Sequence, residues 1–166
     1  MKKVILIFAA IFISVGSSAD AYSQLRIAVL PFVNLDGKLD LNIWSYKLQD
    51  SLAKEFMKGD PEEYNYRIVP NDSIEIKLAE FNVDPNSPEY KSDMWRAIDA
   101  LDVDRVVMGE FLYEDNRFII NASLMVVEYR MPDPRHQVRN IFKSEKTIYE
   151  AVPVISKKLR QGVLGN

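Results

Sequence analysis

The longest unbroken apolar run in this chain is ten residues, positions 4–13, whereas a helix needs about 20 such residues to cross a bilayer. The rest of the chain is therefore not expected to cross a bilayer as a helix, and reads as a domain with a core of its own. The run follows Lys2 and Lys3 and precedes a polar stretch, and Ala19-Asp20-Ala21 then supplies the small-x-small pattern of an export cleavage site. We read residues 1–21 as a removable signal peptide, cut after Ala21, and residues 22–166 as the mature domain beginning at Tyr22. This predicts a periplasmic or secreted protein with no transmembrane span in the mature chain.

An exported chain can use disulfides, yet this one contains no cysteine, so packing alone must hold it together. The same absence predicts that no lipid is attached at the new amino terminus, and any association with the outer membrane is then peripheral, through protein contacts. The length fits one domain with a full hydrophobic core. The chain carries a net charge of −3, and losing Lys2, Lys3 and Asp20 with the signal makes it one unit more negative. Nucleic-acid binding draws its affinity from clustered cations, so that class of partner is excluded.

Residues 25–33 read as an almost continuous apolar strand, central in a sheet and covered on both faces. Turn formers at 34–38 break it, and Asn42 is placed to cap a helix over 43–58, where Trp44, Leu48, Leu52 and Phe56 recur every four residues along one stripe. Gly59 and Pro61 end that helix. A short strand over 66–69 closes at Pro70, and a helix over 71–81 follows. Ser87-Pro88-Glu89 predicts the start of another helix, whose buried face is Met94, Ala97, Ile98 and Leu101.

Positions 105–113 and 117–127 are rich in β-branched and aromatic residues around Glu114-Asp115-Asn116, and predict an antiparallel hairpin. Gly109 within it marks a bulge or a close helix contact. Two prolines make 131–136 a loop, 138–143 a last strand, and Thr147 to Glu150 a capping box for a closing helix that Pro153 either kinks or truly begins. Together these elements predict a single α/β domain, a mixed β-sheet with helices packed against it. Val29, Phe32, Leu48, Leu52, Ile98, Val107 and Leu124 are expected in one core.

The residue inventory points away from catalysis. The chain has one histidine, His136, in the expected loop, where it lacks the nucleophile and orienting partner that a general base requires. Ser51, Ser73, Ser87 and Ser123 have no nucleophile-elbow context. Asp36-Gly37-Lys38-Leu39-Asp40 has too few carboxylates for a calcium loop. Isolated glycines form no phosphate cradle. No catalytic, metal or cofactor residue is therefore assigned. Interfaces are anchored by aromatics near element ends, which makes Trp95 and Tyr113 the candidate partner surface; Trp44, by its stripe, belongs to the core.

Ile27-Ala28-Val29-Leu30-Pro31-Phe32-Val33-Asn34-Leu35, followed by Trp44-Ser45-Tyr46, is similar to the opening of the TolB amino-terminal-like domains of bacterial envelope proteins, among them relatives of CsgG, FlgO and LpoB. Pro31, Phe32, Asn34 and Trp44 carry the motif. The similarity continues through residues 67–73, 97–110 and 119–124. It implies a TolB amino-terminal-like fold and a non-enzymatic adaptor or assembly component of the envelope, with another envelope protein as partner, no cofactor, and oligomerisation left open. It also implies an alternative, a subunit of an outer-membrane secretion channel of the CsgG type. Two departures stand out: the chain has no TolB β-propeller, and no cysteine to be lipidated as in CsgG or LpoB.

Overall fold

The computed structural model describes residues 24–165. The expected signal peptide, with Ala19 and Ala21 of its cleavage site, lies outside the described residues. Six strands and four α-helices follow in the order β1 (Leu25–Val29), β2 (Val33–Asn34), α1 (Ile43–Gly59), β3 (Tyr66–Ile68), α2 (Asn71–Glu80), α3 (Tyr90–Leu101), β4 (Arg105–Glu114), β5 (Arg117–Val126), β6 (Met131–Lys143) and α4 (Ala151–Val163). They form one mixed sheet in the order β3-β1-β4-β5-β6, with β2 also paired to β4. β1 runs parallel to both β3 and β4, while β4-β5 and β5-β6 are antiparallel.

The run expected as one strand over 25–33 is interrupted. Its register against β4 steps by one residue between Val29↔Val107 and Val33↔Glu110. The step lifts Pro31-Phe32 off the ladder and turns the Phe32 ring inward, where it is fully buried. Gly109 is explained by this ring: a Cβ built there would lie 2.1 Å from Phe32 Cε1. The close approach expected at Gly109 is thus made by an aromatic ring, not by a helix, and β4 pairs through it with β5 without a bulge. Asp115 and Asn116 both have positive φ, which is the two-residue turn a tight hairpin selects.

The sheet separates two apolar cores. On one face α1 and α4 bury Trp44, Leu48, Leu52 and Phe56 against Val29, Phe32, Val107, Phe118 and Leu124. On the other, Met94, Ala97, Ile98 and Leu101 of α3 and Ile74 and Leu78 of α2 cover Ala28, Leu30 and Val106. Six of the seven residues expected in a single core share the first cluster; Ile98 belongs to the second, because consecutive strand residues point to opposite faces.

The helix boundaries correct several expectations. Asn42 makes no side-chain cap on α1; its Oδ1 instead accepts from Asn34 Nδ2 at 2.7 Å. α3 starts at Tyr90 rather than at Pro88. The capping pair before α4 is Ser144 with Thr147, the Ser144 N–H donating to Thr147 Oγ1 at 3.1 Å, rather than Thr147 with Glu150. Pro153 falls in the first turn of α4, where its missing N–H has no helical acceptor to lose, so it marks a start and not a kink.

Candidate functional site

Alternation along β5 decides where the surface opens. Phe118, Ile120, Ala122 and Leu124 are buried on the α1/α4 face, while Ile119, Asn121, Ser123 and Met125, pointing the other way, remain half-buried. The α2/α3 layer ends over β4, so beyond α3 the faces of β5 and β6 form the floor of an open groove of about 700 Å³. Trp95 of α3 stands on its wall, with the Arg130 guanidinium 5.5 Å from the ring centroid. Arg130 is itself held by Asp99 at 2.7 Å.

Cross-strand pairs set the floor. Ser123 pairs with Met108 on one side and with Gln137 on the other, and Asn121 pairs with Glu110. Glu110 accepts from Lys91 Nζ at 3.0 Å and from Asn121 Nδ2 at 3.2 Å. Asn121 Oδ1 in turn accepts the Asn140 backbone N–H at 2.9 Å. Asn140 has φ of 58°, and β6 gains one residue on β5 between the pairs Ile120↔Ile141 and Ala122↔Val138. The Asn121 side chain thus takes over a donor that the bulge removes from the ladder. On the rim Arg139 donates to Gln137 Oε1 at 3.0 Å and, among the described residues, has no carboxylate partner.

His136 is not where the sequence placed it. Positions 131–136 belong to β6, an edge strand that tolerates Pro132 and Pro134 because its outer N–H groups need no partner. A second, larger irregularity between Ser123↔Gln137 and Met125↔Pro132 folds His136 inward under α4, where it is only 6% exposed. Its Nδ1 lies 2.9 Å from Asp133 Oδ2. Hydrogen bonds from Arg135 first, and from His136 second, hold the Asp133 carboxyl well below the usual carboxylate range. Gly162 permits the approach of α4, since a Cβ there would lie 2.6 Å from His136 Cγ. A histidine oriented by an aspartate is half of a general-base arrangement, but this one is sealed beneath a helix and does not line the groove.

The four motif residues act on the fold. Phe32 fills the space over Gly109. Asn34 ties its loop by donating to Lys38 O at 2.9 Å and to Asn42 Oδ1, and by accepting from the Asp36 N–H at 3.1 Å. Trp44 meets Phe118 and Tyr149 edge-on at 5.6 and 5.7 Å. Pro31 sits in the register step between β1 and β2. Of the two aromatics expected at a partner surface, Trp95 flanks the groove, whereas Tyr113 leans on the first core, 4.8 Å from the Phe118 ring, with Lys38 Nζ 5.7 Å from its own. The two do not share a surface. Asp36 is engaged by Lys38 Nζ at 2.8 Å. Lys91 of α3, Arg130 of the β5–β6 turn, and Gln137 and Arg139 of β6 come together only in the tertiary fold, and the legible signal for the floor was polar Asn121 and Ser123 on one face of an otherwise apolar strand.

The comparisons agree on the fold. The chain is similar to the LpoB C-terminal domain from Salmonella enterica, with 13% identity over 74% of this chain and 84% of that one, and a TM-score of 0.51. Against LpoB from E. coli the TM-score is 0.55 at 10% identity, covering 74% of this chain and 59% of that chain. A lipoprotein from Neisseria meningitidis gives 0.51 at 13% identity over 82% and 97%. No family model matches the sequence, and no curated protein does. The resemblance to TolB amino-terminal-like domains is thereby borne out as a shared α/β fold.

Proposed function

We propose that this protein is a non-enzymatic component of the bacterial periplasm that works by holding another envelope protein in the groove beside Trp95. The observation that carries the reading is the uncovered half of the sheet: a folded core elsewhere, and here a concave face with a tryptophan on its wall and satisfied polar groups on its floor. Aromatic anchors and polar groups of this kind are what protein interfaces use. The shared fold with envelope lipoproteins supports the same class of role. A channel subunit of the CsgG type would need hairpins with an apolar face free for lipid, and the β4–β5 hairpin instead buries Phe111, Phe118 and Ile120 in its own core.

Complementation of a deletion strain tests the proposal. Trp95→Glu and Ser123→Trp, the second filling the groove from its floor, are expected to abolish complementation while the purified proteins keep the wild-type circular dichroism and remain folded at the assay temperature. Full complementation by both variants would reject the groove as the working surface. Protein recovered from the periplasm is expected to begin at Tyr22 on amino-terminal sequencing; recovery from the cytosol with Met1 intact would reject the compartment.

A further inference from the structure

The charge on the groove opposes the charge on the chain. Three cations line it, Lys91, Arg130 and Arg139, against one carboxylate, Glu110, in a protein whose net charge is −3. Two of the three are already answered, Lys91 by Glu110 at 3.0 Å and Arg130 by Asp99 at 2.7 Å. Arg139 is exposed and engages only the neutral Gln137 amide, so its guanidinium fork is free to take a carboxylate in the two-bond geometry that arginine favours. Between the cations lie Met108 and Met125, whose unbranched thioethers adapt to an inserted side chain, and the polar edges of Ser123 and Gln137, which can bond the backbone of a chain laid across them.

We infer that the groove receives an extended, acidic segment of the partner protein, with a carboxylate on Arg139 and an apolar side chain against Trp95 and the two methionines. The inference rests on the reading of the groove as the working surface. Net positive charge in a concave site also concentrates anionic partners before contact, which an acidic protein as a whole cannot do. A second copy of this chain is the less complementary occupant, since two copies would bring like cationic grooves together.

Replacing Gln137 with a photo-crosslinking phenylalanine derivative in whole cells, then sequencing the linked peptide by mass spectrometry, tests the inference. The expected product is a segment of another protein with net negative charge around the linked residue. Its yield should fall at least tenfold when Arg139→Glu or Lys91→Glu is added, and recover when an acidic residue of the linked segment is exchanged for arginine in the Arg139→Glu background. A neutral or basic segment, a segment of this chain, a link to glycan or nucleic acid, or a yield indifferent to both charge reversals would overturn it. If Trp95→Glu and Ser123→Trp abolish complementation while both charge reversals complement fully, the groove reading stands and the acidic partner falls; if all four complement, the groove reading itself falls.

Discussion

Asp60 stands where α1 hands the chain to β3, and its carboxylate replaces the hydrogen bonds that neither element can supply. Oδ2 accepts the backbone N–H groups of Asn65 at 2.7 Å and Tyr66 at 3.1 Å, and Oδ1 accepts that of Tyr64 at 3.1 Å. Burial pushes this carboxyl up, but the three donors outweigh burial and hold it below the ordinary carboxylate value. A depressed folded-state value means that the stabilisation is complete above the unfolded value of about 4, and is lost as pH falls through the folded one. Urea midpoints at pH 5 and pH 3 are therefore expected to drop further in the wild type than in Asp60→Asn, whose amide does not titrate. Equal drops would show that Asp60 contributes nothing to acid sensitivity. Sequence alone offered Gly59 and Pro61 as breakers around Asp60 but could not reveal its acceptor role, because all three donors lie beyond the turn.

At the scale of elements, the stretches that declared themselves were those with a clear period: α1, α3 and the β4–β5 hairpin fall within a few residues of their sequence-based limits. β6 did not, because Pro132 and Pro134 forbid a central strand and only the fold shows that this strand lies at an edge. The position of His136 was lost with it. Buried beside Asp133 and beneath Gly162, His136 is now expected to hold α4 against β6, so His136→Ala should cost about 2 kcal/mol, the order expected when a buried hydrogen-bonded side chain is removed and its partner left short. Chemical denaturation measures it. The same variant is expected to complement a deletion strain at low temperature, where the remaining stability suffices; a folded, abundant His136→Ala protein without function would reopen a proton-linked role.

For the whole molecule, the fold class was legible because hydrophobic patterning alone sorts strands from helices, and the site was not, because its residues lie on α3, β4, β5, β6 and the β5–β6 turn and meet only through sheet register and the packing of α3 on the sheet. Trp95 was the exception, an aromatic just off the apolar face of its helix. Patterning could also not say that the core is double. Leu52 and Ile98, both fully buried, lie in clusters on opposite faces of the sheet. Leu52→Ala and Ile98→Ala should each cost about 2–5 kcal/mol, as large-to-small changes in packed cores do. Sites without shared partners add to within about 0.5 kcal/mol, so the double variant is expected to lose the sum of the two, provided both layers unfold in one transition with the sheet between them. Urea denaturation followed by tryptophan fluorescence and by circular dichroism tests both halves of the statement, since Trp44 reports the first core and Trp95 flanks the second. Non-coincident transitions would show that the α2/α3 layer opens separately, and would make the wall of the groove the least stable part of the molecule.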